Sequence, residues 1–224
     1  MNTYEQGQVL LIHKPLHWTS FDVVRRVRHL VKVKKVGHAG TLDPLATGLL
    51  VICTGKLTKK INEYMAQEKE YTGSFTIGSE TPTYDLESMP QNFKSIDEVS
   101  AQKIMIVAQK FVGEISQVPP AHSAIKLQGK RVYELARKGK QVELQPRKVF
   151  IKELDITKIE LPVVNFRVVC STGTYIRSLA NDFGNALGCG AYLSSLCRTR
   201  IGSFKLQDAL TVEQFENSLR TRNS

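Results

Sequence analysis

Hydrophobic and polar positions follow two rhythms along this chain, one with a period near 2 residues and one near 3.6. From Val9 to Ile12 a short apolar run, ending at Lys14-Pro15, predicts a strand. Thr19 then opens a helix, with Asp22 three residues on as its capping-box-like partner. Phe21, Val24, Val27 and Val31 fall at helical spacing, while Arg25, Arg26, His29 and Lys32 take the polar side. The continuous apolar run from Leu49 to Cys53 suits a buried strand, and Tyr71, Gly73, Phe75 and Ile77 alternate with polar residues as a half-buried strand does. Ile104, Val107, Ala108 and Phe111 form the stripe of a helix from Val99 to Phe111, and a further helix is expected from Val132 to Arg137, stopped by Gly139. Strands follow from Val149 to Ile151 and from Val164 to Cys170. Ile176, Leu179, Ala180 and Phe183 mark another helix, and Thr211 with Gln214 opens a short C-terminal one. Strands and helices mix without regular βαβ alternation. The expected class is α+β, with a mixed, mainly antiparallel central sheet flanked by helices and loops.

Composition narrows this picture. With 224 residues, of which 42% are hydrophobic, the chain can build a core and is not intrinsically disordered. It holds no internal repeat and no long linker, so a single domain over residues 1–224 is expected. The best apolar run has five residues, far below the roughly 20 of a membrane span. The N-terminus lacks a basic segment before its short apolar run, so no signal peptide is expected and the protein is read as soluble and cytoplasmic. Cys53, Cys170, Cys189 and Cys197 form no C-x-x-C pair and have no His cluster at zinc-ligand spacing. They are expected to be reduced and free of metal.

The formal charge is +10, and its distribution says more than its sum. Arg25, Arg26, Arg28, Lys32, Lys34 and Lys35 fall in eleven residues without an acid, and eight basic residues lie between Lys126 and Lys148 against two acidic ones. Two such stretches on one face would track a phosphate backbone; equally, they would make a basic, solvated surface.

The most unusual segment runs from Val36 to Gly55, where Asp43 is the only formal charge among four glycines. Pro44 biases Asp43 toward an extended backbone. Its carboxylate can serve as a nucleophile, provided that a cation keeps it ionised away from water. It can also be an Asp-Pro turn capping its own backbone. The residues alone leave both readings open.

The run from Gly37 to Gly48, G-H-A-G-T-L-D-P-L-A-T-G, closely resembles the catalytic motif of bacterial TruB-type tRNA pseudouridine synthases. Other motifs follow in family order. They are Lys14-Pro15 with Trp18-Thr19-Ser20, Lys69-Glu70-Tyr71, Thr81-Pro82-Thr83-Tyr84-Asp85, and Gln117-Val118-Pro119-Pro120. After these come Ser123-Ala124-Ile125-Lys126, Tyr133, Ala136-Arg137-Lys138-Gly139, Gly173-Thr174-Tyr175-Ile176-Arg177 and Leu187-Gly188-Cys189-Gly190-Ala191. The resemblance spans about residues 9 to 204 and implies a pseudouridine-synthase fold. It implies isomerisation of the uridine at position 55 in the tRNA T-loop, without cofactor or metal.

It also implies roles for particular residues. Asp43 would be the nucleophile, with attack at C1′ of the sugar or C6 of the base left open. Arg177 would pair with it and keep it ionised. Tyr71 would stack on the uracil and help remove the C5 proton, stacking being the safer role for a phenol of pKa about 10. His38 would fill the gap left by the flipped nucleotide. Tyr175 and Leu196 would line the uracil pocket, Asp85 would contact the flipped nucleotides, and Lys14 would support the active-site loop. The partner implied is the tRNA T-stem-loop, with no membrane, no obligate protein partner and a monomeric state. The competing reading is a non-catalytic RNA-binding or tRNA-folding module on the same scaffold.

The chain departs from the family pattern in three places. His17 stands where the family usually has glycine, so the turn after Lys14-Pro15 is expected to differ locally. His122 replaces a residue that commonly carries a phenyl ring. About twenty residues follow Phe204, where many members carry a further RNA-binding domain, so weakened tRNA binding is expected.

Overall fold

The computed structural model describes residues 3–120, 126–127, 130–131 and 144–221. They divide into two compact units, Met1–Thr72 with Ser195–Ser224, and Gly73–Ser194. Two strands, β4 (Lys69–Ile77) and β10 (Ala191–Ile201), have residues in both.

In the first unit β1 (Val9–Lys14) runs antiparallel to β3 (Ala46–Thr54), with Ile12 opposite Leu50. The strand order is β12 (Leu210–Thr211), β1, β3, β10, β4, and β2 (Val36–His38) also pairs with β3. The β3–β10 and β1–β12 pairs are parallel, so the sheet is mixed. Both faces of β3 are buried. Leu50 and Ile52 join one core with Ile12, Val23, Val24, Val27 and Val31, while Leu49 and Val51 join another with Ala39 and Ile201. Side chains alternate across a strand, so burial on both faces requires the unbroken apolar run seen in the sequence. Each such side chain withdrawn from water contributes about 1.5–3 kcal/mol.

The helix Ser20–Val31 starts at Thr19, where the Thr19 and Asp22 side chains cap each other's backbone N–H groups as expected. Phe21 is a correction: it is 56% exposed. The buried stripe passes through Ser20, Val23, Val24, Val27 and Val31, and 100° per residue rotates Phe21 off it, beneath the Arg25 guanidinium at 5.7 Å. Thr211 and Gln214 exchange backbone bonds of 2.9 and 3.1 Å ahead of the helix Val212–Thr221, the reciprocal cap the sequence predicts.

The second unit has the strand order β10, β4, β9 (Val163–Cys170), β8 (Arg147–Glu160), β5 (Gly113–Gln117), and its β5–β8 and β8–β9 pairs are antiparallel. Its core stacks Phe75 on Phe166 at 4.1 Å with Phe183 at 5.2 Å from Phe75. Two helices of this unit are Ala101–Gln109, capped by Ser100, and Ile176–Leu187, ended by Gly188 at φ +86°. Strand β8 is far longer than the three residues expected, because register shifts between Ile151 and Glu153 and between Ile156 and Lys158 break the period of two, its buried positions running Val149, Ile151, Leu154. Strands β5 and β10 were not expected at all. The class is α+β, as read from the sequence. Residues 121–125 and 132–143 lie outside the description, and with them the helix expected over 132–137, His122, Tyr133 and the motif at 136–139. Among the described residues, no helix is long and apolar enough to cross a membrane. None of the four cysteines forms a disulfide.

Candidate active site

Asp43 lies half-buried in the loop of residues 39–45 that joins β2 to β3. A loop at this depth must find a partner for each backbone carbonyl, and here they can be followed one by one. The Gly40 oxygen accepts from Arg198 Nη2 at 3.0 Å and the Thr41 oxygen from Arg198 Nη1 at 3.3 Å. Ser20 Oγ donates to the Leu42 oxygen at 3.1 Å and accepts from the Leu42 N–H at 2.8 Å. The Asp43 oxygen accepts from the Ala46 N–H at 3.0 Å, closing a turn whose second residue is Pro44. The Pro44 oxygen takes the His17 N–H at 2.8 Å and Lys14 Nζ at 3.4 Å. His17 sits at φ +65°, in the left-handed region. Glycine reaches that region freely, whereas a side chain costs about 1–2 kcal/mol. The backbone at this departure therefore keeps a glycine-type turn.

Lys14 is 0% exposed, and its ammonium also donates to the Pro15 and Trp18 oxygens at 2.9 and 2.5 Å. Burial lowers its pKa from 10.5 to about 8, against the raising effect of the Asp43 carboxylate. The group thus binds fewer protons folded than unfolded between about pH 8 and 10.5, and its contribution to stability rises with pH across that window. In urea titrations, the stability of wild type relative to Lys14→Met should grow by about 2 kcal/mol from pH 7.5 to 9.5. An unchanged difference would contradict a desolvated Lys14.

His38 ends β2, half-buried, with no hydrogen-bond partner for its Nδ1 among the described residues. Burial first, and the Arg198 charge second, lower its pKa, so the neutral imidazole is favoured at pH 7. Tyr71 on β4 is buried at 8% exposure. Leu196 on β10 pairs with Ala46, three residues past Asp43, and its carbonyl accepts from Thr47 Oγ1 at 3.4 Å. The first unit thus holds Lys14, His38, Asp43, Tyr71 and Leu196.

Asp85, Tyr175 and Arg177 belong to the second unit. Arg177, 4% exposed, is the second residue of the helix Ile176–Leu187 and forms an ion pair of 3.5 Å with Asp85, which is 3% exposed. Asp85 Oδ1 also accepts the Glu87 N–H at 3.0 Å. Removing one partner of such a buried pair strands a charge, at about 3–5 kcal/mol. Tyr175 precedes the helix as its N-cap. The fully buried Gln117 holds it through its amide, which donates to the Tyr175 oxygen at 3.0 Å and accepts its N–H at 2.8 Å. The Arg147 guanidinium covers its ring at 4.7 Å.

The sequence reading gave no role to Arg198, Ser20 or Arg147, and it quoted Gln117 only as a motif residue. Arg198 gives no local signal: in Cys197-Arg198-Thr199-Arg200 it looks like any surface cation. Gln117 and Ser20 do stand inside motifs, but only the fold reveals which backbone each one grips.

Residues 28–176 match the family model described as TruB family pseudouridylate synthase, N-terminal domain. Residues 177–224 match that of the tRNA pseudouridylate synthase B C-terminal domain. The chain is 51% identical to the tRNA pseudouridine synthase B of Flavobacterium johnsoniae, over 97% of this chain and 98% of that one. It is 48% identical to the protein of the same name from Phocaeicola vulgatus, over 95% and 93%. Among solved structures, a chain of an archaeal box H/ACA sRNP Nop10–Cbf5 complex superposes with a TM-score of 0.74 at 26% identity. That match covers 99% of this chain and 56% of the archaeal one. A chain of an H/ACA RNP bound to a substrate RNA containing 2′-deoxyuridine gives 0.72 at 29% identity, covering 96% and 54%. The chain thus spans a little over half of those two structures but nearly the whole of the bacterial relatives. A loop whose carbonyls are tied down around one aspartate, together with full-length identity near one half, leads to one assignment: the chain belongs to the TruB family of pseudouridylate synthases.

Proposed function

We propose that the protein isomerises uridine to pseudouridine at position 55 in the T-loop of tRNA. The observation that carries this reading is the full-length similarity to proteins named tRNA pseudouridine synthase B. The fixed loop around Asp43 supports it.

In the reaction the N1–C1′ bond breaks, the uracil turns, and a C5–C1′ bond forms. C5 loses its proton and N1 gains one, so substrate and product are isomers and no electrons are exchanged with a cofactor. The target base is stacked in folded RNA and must first be extruded, at a few kcal/mol. His38, as a neutral imidazole, fills the vacated space without adding a charge beside stacked bases. Asp43 provides the nucleophile, and Arg177 the cation that favours its ionised form. Tyr71, Tyr175 and Leu196 offer the apolar surface against which a uracil ring packs. Asp85 contacts the flipped nucleotides and also orients Arg177. The basic stretches hold phosphates, while RNA shape and splayed loop bases supply selectivity. Within this proposal the enzyme acts in the cytoplasm, where a tRNA substrate is met, and as a monomer.

Transcribed tRNA carrying tritium at C5 of its uridines tests this directly. The purified protein is expected to release tritium into water with about one equivalent per tRNA, and mapping should place the product at position 55. Tight tRNA binding without release would instead identify a non-catalytic RNA-binding module.

A further inference from the structure

Arg198 is 1% exposed. Taking a cation out of water costs several kcal/mol unless polar groups replace the hydration. Here three carbonyls replace it: Leu49 accepts from Nε at 2.8 Å, Gly40 from Nη2 at 3.0 Å, and Thr41 from Nη1 at 3.3 Å. Two of these precede Asp43 by two and three residues, and the third follows it on β3. One rigid fork therefore ties both arms of the Asp43 loop to β10, the strand that also presents Leu196. Lys14 and the His17 N–H hold the Pro44 carbonyl, and Ser20 holds Leu42. Arg198 alone reaches two carbonyls of the loop among the bonds described, Gly40 and Thr41, and the first of these also bonds His38.

An ordinary core position would carry an apolar residue here at lower cost. A planar group with five donors is needed only where several carbonyl directions must be fixed together, which an ammonium cannot do. Its guanidinium bonds end on backbone carbonyls, so Arg198 acts through the backbone. We propose that Arg198 is a positioning residue for the isomerisation, holding the Gly40–Thr41 arm so that the Asp43 carboxylate meets the extruded uridine at a fixed distance and angle. This rests on the function proposed above.

The test compares wild type, Arg198→Ala and Arg198→Lys in tritium-release assays on tRNA, with circular dichroism to establish folding. A displacement near 1 Å at a reacting group costs about 100-fold. Arg198→Ala should therefore lose about 100-fold in kcat, with KM for tRNA within about threefold of wild type. Arg198→Lys should recover about a tenth of wild-type kcat, since its charge survives but the fork does not. Added ethylguanidinium should raise kcat of Arg198→Ala at least about tenfold, while ethylammonium should not. That difference separates orientation from loss of core volume. If Arg198→Ala fails to fold, Arg198→Lys carries the test alone, with lowered kcat at unchanged KM as the supporting result. A folded variant with kcat within about twofold of wild type, or a loss confined to KM, overturns the proposal. Inactive wild type would refute the functional reading instead, so the two failures are distinguishable.

Discussion

Asp43→Asn should lower pseudouridine formation by at least about 10⁴-fold, while tRNA affinity stays within about threefold. Asparagine has the shape of aspartate, so the backbone bonds that fix the loop, from Arg198 to Gly40 and Thr41, from Ser20 to Leu42, and from Lys14 to Pro44, need not change. What disappears is the negative charge, and with it the electron pair that attacks the nucleoside. Binding is supplied by phosphate contacts spread over basic residues and by shape, to which one carboxyl adds little. The Asp43 carboxylate also raises the Lys14 pKa, so the substitution should push that pKa below about 8, visible by NMR on the Lys14 side chain. Single-turnover tritium release and filter binding on the same preparations give both main readouts. Substantial product from the variant would falsify the assignment of Asp43 as nucleophile. A parallel collapse of binding would mean that the loop, not the chemistry, had been damaged.

Gly48→Ala is expected to have the largest effect on folding, a loss of more than about 4 kcal/mol. Gly48 lies on β3 at φ +105°, paired with Arg198 on β10, and a Cβ there would meet the Arg198 backbone oxygen at 2.4 Å and its nitrogen at 2.6 Å. Neither is the flexible end of a side chain, so the two strands would have to part. Parting them would also draw Arg198 away from Gly40 and Thr41, so any residual folded protein should be inactive. Gly188→Ala is the control. Gly188 also has a positive φ, +86°, but a Cβ there meets nothing within 4 Å. It should cost only the left-handed conformation itself, about 1–2 kcal/mol. Urea titration of both variants checks the contrast, and similar losses would mean that backbone strain, not the close approach of β10, governs Gly48.

Much of the fold was legible because it is encoded locally. The caps at Thr19 and Thr211, the two-faced strand through Leu49 and Val51, and the alternation of Phe75 and Ile77 are each written within a few residues. Strand β8 was largely missed because two register shifts, after Ile151 and after Ile156, change which positions face inward, so that no period of two runs its length. Phe21 was misplaced because an aromatic at helical spacing looks like core until the helix's rotation against its sheet is known.

By itself the sequence determined the set of chemical groups and their order: an aspartate between glycines and proline, a tyrosine, an arginine after Thr174-Tyr175, and a surplus of positive charge. Tertiary structure decided which cations became internal. Arg198 reads as an ordinary surface charge, and Lys14 has a role only through the family resemblance, yet each is buried against carbonyls, and the carbonyls that hold Arg198 come from residues about 150 positions away. The same holds for the pairing of Arg177 with Asp85 and the grip of Gln117 on Tyr175. Whether a charged side chain can leave water depends on the polar groups awaiting it, and no local pattern records those when they lie across the fold.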